Sequence, residues 1–170
     1  MKRYDLAVIG SGTAAMVAAT RVRTAGWTVA VIDQRPFGGT CALRGCDPKK
    51  MLVGVATALD HARRMNGQGI VGDTRIEWAG LMAFKRSFTD RVPAKHEAMY
   101  ADKGIDAYHG RARFTGGNTL DVDGTAIEAR YILLAAGAEP VALGIPGEEH
   151  LVTSEQFLRQ KLKEFERRKQ

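Results

Sequence analysis

The chain has 170 residues, 45% hydrophobic and 26% charged, the balance of a water-exposed α/β domain large enough to bury a real core. No apolar run approaches the roughly 20 residues of a membrane span, and residues 1–6 lead straight into strand-like sequence without a signal-peptide core, so no membrane partner and a cytoplasmic address are expected. The net charge of +6 gathers at Arg63-Arg64 and in the last dozen residues, but Glu155 just before that stretch and Glu164 and Glu166 within it are interleaved with the basic residues. No nucleic-acid motif accompanies them, so a solvated helix face and no nucleic-acid partner are expected.

Residues 4–9 read as a short buried strand, 10–12 as a tight turn, and 13–25 as an Ala-rich helix stopped by Gly26. Residues 28–32 are β-branched and apolar, a second buried strand, which completes a parallel βαβ unit. A Gly-rich loop over 34–40 is followed by a helix over 46–65, bounded by Asn66-Gly67, and by a helical stretch over 78–103 interrupted near Val92-Pro93. Residues 105–114 and 119–126 read as antiparallel strands around turns at Gly116-Gly117-Asn118 and Asp123-Gly124. Residues 131–135 form a last strand that rejoins the parallel sheet, 138–147 an irregular crossover, and 154–168 a helix with Leu158, Leu162 and Phe165 on its apolar side. The expected fold is α/β: a Rossmann-like domain over 1–153, with a parallel sheet and a small antiparallel β-meander, followed by a charged helix over 154–170.

Gly10-Ser11-Gly12-Thr13-Ala14-Ala15 fits G-x-G-x-x-G/A and stands between strand and helix, the context that gives this motif its meaning. Gly10 permits the turn, Gly12 lets a pyrophosphate approach the backbone, and Ala15 lets the helix pack close. The helix N-terminus offers unpaired N–H groups and partial positive charge. Asp33 closes the second strand about 20 residues beyond Gly12, where a carboxylate accepts hydrogen bonds from ribose hydroxyls. A dinucleotide is expected here, and the motif alone leaves FAD and NAD(P) both open.

The only cysteines stand in Gly38-Gly39-Thr40-Cys41-Ala42-Leu43-Arg44-Gly45-Cys46-Asp47-Pro48-Lys49-Lys50. Two thiols are too few for an all-cysteine zinc site, and His61, His96, His109 and His150 lack finger spacing, so no metal site is expected. On an ideal helix, residues five apart have Cα atoms about 8–9 Å from each other, too far for a disulfide. Pairing therefore demands a distorted first turn, which Gly45 would permit. A helix N-terminus with Lys49 and Lys50 close by is a setting that favours thiolate over thiol.

With these residues in view, Gly-Gly-Thr-Cys-x4-Cys-x-Pro-Lys-Lys behind a βαβ unit resembles the class I pyridine nucleotide-disulfide oxidoreductases, the family of glutathione reductase, dihydrolipoamide dehydrogenase and mercuric reductase. The resemblance runs from about residue 4 to residue 158 and implies FAD as cofactor. It implies FAD pyrophosphate contacts at Gly12, Thr13 and Ala14, an adenosine-ribose contact at Asp33 (the family usually has Glu), and a hydrogen bond to FAD from Thr40, which Gly39 precedes. Cys41 would be the interchange thiol that attacks a disulfide or soft-metal substrate, and Cys46 the flavin-side thiol in charge-transfer contact with the ring. Lys49 matches the lysine near flavin N5, with Lys50 its rival, and Ala112 falls on the strand whose backbone recognises adenine. Gly137 ends a segment resembling the family's Ala-Thr-Gly, with Ala136 in place of the Thr.

Members of the family are much longer, and add an NAD(P)H domain, a second FAD segment and a dimerisation domain with a His-Glu acid–base pair. No second G-x-G-x-x-G follows Leu158 here. NAD(P)H is thus expected as the hydride source of a full-length member, its domain absent from this sequence, and complementary domains or a second copy as partners. Two other readings stay open: a truncated FAD-binding or thiol-redox module without turnover, and an interaction module that presents Leu158, Leu162 and Phe165 on its basic C-terminal helix.

Overall fold

The computed structural model describes residues 1–159, so Leu162 and Phe165 lie outside the described residues. The chain forms two compact units: Met1–Ala42 with Arg91–Glu139, and Leu43–Asp90 with the stretch beginning at Pro140.

The first unit is built on one six-stranded sheet. Strand β1 (Lys2–Ile9) lies between β2 (Val29–Asp33) and β6 (Thr125–Leu134), parallel to both. Leu6, Ala7 and Val8 are buried in succession, the unbroken apolar run of a strand covered on both faces. Helix α1 (Thr13–Thr24) crosses over from β1 to β2 and seals one face with Ala15 and Ala19, whose small side chains permit the close approach. Phe37, Tyr100 and Ile105 fill the core on that side, with Tyr100 carried by helix α5 (Val92–Asp102). On the other face Ala7, Ile32, Leu120, Val122, Ile127 and Ala129 close a second core.

Two strands depart from the sequence expectation. Residues 105–114 are not one antiparallel strand: β3 (Asp106–His109) extends the parallel sheet beyond β2, and the chain turns at Gly110 to begin β4 (Ala112–Gly116) at the opposite end. The residues of neither piece specify which strand it pairs with, so the sequence carried no sign of the change of neighbour. The last strand also starts earlier than residue 131. The first part of β6 pairs antiparallel with β5 (Thr119–Val122) after the Asp123-Gly124 turn, and its continuation runs parallel to β1. Meander and parallel sheet are therefore one sheet, in the order β3-β2-β1-β6-β5-β4.

The second unit holds α3 (Cys46–Arg64), α4 (Trp78–Thr89) and the short α6 (Ser154–Arg159). The Glu77 carboxylate caps α4 by accepting from the amides of Ala79 and Gly80. Leu158 of α6 is buried rather than presented to a partner, and the Lys85 ammonium, itself buried, donates to the Leu158 carbonyl at 2.6 Å. Burial, ahead of the Arg86 charge, holds the Lys85 pKa below its ordinary value.

Arg44, also buried, sits with Nε 3.4 Å from the Glu155 carboxylate, out of line for a hydrogen bond, while exposed Arg159 reaches the same carboxylate at 2.9 Å. An arginine stays charged when its partner is removed, so Glu155→Gln leaves a buried cation uncompensated. Because Glu155 is itself about one-third exposed, the expected loss is about 1–3 kcal/mol, below the full cost of an enclosed pair. Arg159→Gln, at an exposed position, should cost less than about 1 kcal/mol. Urea unfolding of the two variants checks the contrast, and equal losses would remove Arg44 from the account.

Candidate cofactor and dithiol site

The turn after β1 is fixed by its neighbours on both sides. Gly10 N donates to Ile32 O at 2.7 Å, and Ala135 N donates to Ile9 O at 2.8 Å, so the turn lies between the C-terminal ends of β2 and β6. Gly10 has φ +114°, and a Cβ there would stand 2.2 Å from the Ala135 carbonyl oxygen. Gly12 is the N-cap of α1, without a side-chain cap and without an acidic residue in the first turn. Thr13 and Ala14 are exposed there and Ala15 is fully buried, which divides the motif into a face toward solvent and a face toward the sheet. The first amides of α1 are orphan donors directed outward, the arrangement that accepts a pyrophosphate.

Asp33, at the end of β2, faces this turn. Its Oδ2 accepts from Ser11 Oγ at 2.6 Å and its Oδ1 from Arg35 N at 2.9 Å. An ionised carboxylate has about four acceptor positions, so capacity for ribose hydroxyls remains. Nearby, the buried Tyr100 phenol has no hydrogen-bond partner among the described residues. Burial first, and then the Asp33 charge, push its pKa up to about 12.

The cysteine segment begins against the same turn. Gly39, φ +68°, opens helix α2 (Gly39–Arg44), and a Cβ on it would stand 2.3 Å from Gly12 Cα. The two glycines are thus in backbone contact, an approach no side chain would allow. Thr40 is exposed and Cys41 half-buried in the first turn of α2. Gly45 (φ −139°, ψ −107°) separates α2 from α3, and exposed Cys46 is the first residue of α3. The expected distortion between the cysteines is therefore present at Gly45, as a break between two helices. Pro48 is buried in the first turn of α3, whereas Lys49 and Lys50 are exposed.

Two sequence candidates come from other segments, and of these Gly137 directly follows Ala136, whose amide nitrogen a Cβ on Gly10 would approach to 3.2 Å. Ala112 opens β4 opposite Val122, and Gly137 stands exposed in the segment after β6. The first unit thus brings together Gly10, Gly12, Thr13, Ala14, Asp33, Gly39, Thr40 and Cys41. Sequence reasoning passed over Ser11 and Arg44. Ser11 occupies an open position of the glycine motif, and only its complete burial distinguishes it.

A glycine turn on an uncapped crossover helix, with an acid at the next strand end, is the arrangement of the Rossmann-like FAD/NAD(P)-binding fold. The family model for pyridine nucleotide-disulphide oxidoreductases matches residues 4–169, and the chain belongs to that family. Among curated relatives, it is 33% identical over 153 residues to a glutathione reductase of Burkholderia cepacia, covering 89% of this chain and 34% of the relative. It is 35% identical over 152 residues to a mercuric reductase of Streptomyces lividans, covering 85% and 32%. A solved HOCl-induced flavoprotein disulfide reductase from Escherichia coli, in complex with Cu(II), superposes with a TM-score of 0.77 at 27% identity, over 95% of this chain and 35% of that one. The chain spans about one-third of the length of these relatives. Among the described residues no helix is long and apolar enough to cross a membrane, and no group of three or more His, Cys, Asp or Glu could hold a metal ion.

Proposed function

We propose that this chain is the FAD-binding, dithiol-bearing part of a flavoprotein disulfide oxidoreductase, and that Cys41 and Cys46 pass electrons from reduced flavin to a disulfide or soft-metal substrate. The observation that carries the reading is the Gly39–Gly12 contact: the segment that presents Cys41 is seated on the turn suited to a pyrophosphate.

The turn and its acid suit a dinucleotide, and the family to which the chain belongs supports FAD as that dinucleotide. The amides of Gly12, Thr13 and Ala14 would hold the pyrophosphate, Asp33 the adenosine ribose, and Thr40 a further polar contact. Lys49, or Lys50 one place on, would supply positive charge beside the ring, and Ala112 and Gly137 would contribute backbone. When bound in its reduced form, FAD would supply the electron pair that, with two protons, converts a Cys41–Cys46 disulfide to the dithiol and leaves the flavin oxidised. The Cys41 thiolate then attacks a substrate disulfide, forming a mixed disulfide and expelling one thiol. Cys46 attacks the Cys41 sulfur, re-forms the protein disulfide and releases the second thiol, so one disulfide is consumed and two thiols appear. In a full-length relative the electron pair would come from NAD(P)H bound elsewhere in the longer chain.

Anaerobic titration of the purified chain with FAD, followed by one dithiol-reducing equivalent, tests the reading. The expected result is a protein-bound flavin spectrum that gains a long-wavelength band on reduction. Bound flavin without that band would remove Cys46 from the ring's neighbourhood, and no bound flavin would count against FAD binding by this chain.

A further inference from the structure

We infer that Ser11 is a positioning residue that couples occupancy of Asp33 to the presentation of Cys41. The inference rests on the cofactor reading above and goes beyond it, because it assigns to one buried hydroxyl the link between the two ends of the proposed site.

Ser11 is wholly inaccessible, and its hydroxyl makes two bonds whose directions are fixed by chemistry. Asp33 Oδ2, at 2.6 Å, belongs to a carboxylate and can only accept, so Ser11 donates its proton there. Gly38 N, at 3.3 Å, is an amide and can only donate, so Ser11 accepts from it. The chain of bonds runs from the Gly38 amide through the Ser11 hydroxyl to the Asp33 carboxylate. Gly38 immediately precedes α2, and Cys41 is three residues further on. The start of α2 therefore has two attachments to the glycine turn: Gly39 in contact with Gly12, and Gly38 bonded to Ser11.

Hydrogen bonds in such a chain polarise one another. A ribose hydroxyl that donates to Asp33 draws on the charge that Ser11 also uses. The Ser11 hydroxyl then becomes a poorer acceptor for the Gly38 amide, and the entry to α2 is held less firmly. Occupancy of the acid is thereby transmitted to the turn that carries Cys41, and by linkage the state of that turn changes affinity at the acid. Alanine at position 11 would leave the glycine contact in place and cut the chain of bonds.

The probe is ADP, which carries the ribose and pyrophosphate but no flavin ring that could shield a thiol. Cys41 alkylation by iodoacetamide is followed in the reduced full chain with and without ADP, while calorimetry reports ADP binding. Cleavage after Arg44 places Cys41 and Cys46 in different tryptic peptides, so each is read separately. Saturating ADP is expected to raise the Cys41 rate about three-fold, the size one hydrogen bond can transmit. In Ser11→Ala the expected ratio with and without ADP is about one, with ADP still bound. Amide exchange at Gly38 in the unaltered chain gives a second reading without any variant, and faster exchange with ADP is expected. ADP binding that leaves both the Cys41 rate and Gly38 exchange unchanged overturns the coupling alone, and so does a three-fold response that survives in Ser11→Ala. Failure of the unaltered chain to bind ADP overturns the cofactor reading, and the coupling with it.

Discussion

Gly10→Ala is expected to lower the melting temperature by about 10 °C and to weaken FAD binding at least ten-fold. The added Cβ would stand 2.2 Å from the carbonyl oxygen of Ala135 and 2.7 Å from its carbon, both backbone atoms that cannot rotate away. Neither chain can easily shift, because Gly10 N is bonded to Ile32 O and Ala135 N to Ile9 O. The φ of +114° adds a strain of about 1–3 kcal/mol for any L side chain. Together these reach about 3–5 kcal/mol, a large part of the roughly 5–15 kcal/mol that holds a domain folded. Gly12→Ala makes the informative comparison. Gly12 has φ −74°, and its added Cβ would meet only Gly39 Cα, at an ordinary 3.6 Å. That variant should melt within a few degrees of the parent and yet lose FAD affinity, because the methyl projects where a pyrophosphate approaches. Thermal melts and FAD titrations of the pair decide the matter. If both variants melted alike, the division between a glycine required by the chain and one required by the ligand would be wrong.

That division marks how far the sequence could be read. Residues 4–33 announced themselves because each local signal agreed with the next: a buried apolar strand, a glycine turn, an Ala-rich helix and a second apolar strand ending in an acid. The Asp123-Gly124 hairpin was legible for the same reason, since both residues take the positive φ that such a turn demands. Residues 105–114 were harder. Alternation specifies a strand but not its neighbour, so the change from the β2 edge to the meander was invisible until the Gly110 turn was placed.

Within the candidate site, the motif residues were found because their chemistry is conspicuous, and Ser11 and Arg44 were missed because theirs is common. A serine between two glycines reads as filler until its hydroxyl is found buried between an amide and a carboxylate. An arginine between two cysteines reads as one more surface cation until it is found buried beside Glu155. Burial is a property of the folded chain, and no periodicity encodes it for a single residue within a turn.

The largest functional effects should come from the cysteines, and they should be unequal. With FAD bound, Cys41→Ser and Cys46→Ser are each expected to slow electron transfer from the dithionite-reduced chain to a disulfide by at least about a thousand-fold. A serine oxygen can neither form the mixed disulfide nor close the protein disulfide. The spectra should separate the two. Cys46→Ser should abolish the long-wavelength band, because the thiol proposed to face the ring is gone, whereas Cys41→Ser should retain it. Cys46 is exposed as the first residue of α3, whereas Cys41 is half-buried in the first turn of α2. Gly45 interrupts the helix between them, so the two sulfurs belong to different helices and can serve different partners. Anaerobic absorbance of the two variants with FAD still oxidised reads the band. One reducing equivalent, which then goes to the flavin because neither variant has a disulfide to take it up, followed by a challenge with a disulfide, reads the rate in the same sample. A band that survived in Cys46→Ser and vanished in Cys41→Ser would exchange the two roles. A band that survived in both would place neither sulfur at the flavin, and would leave the pair as a thiol relay that receives its electrons from another source.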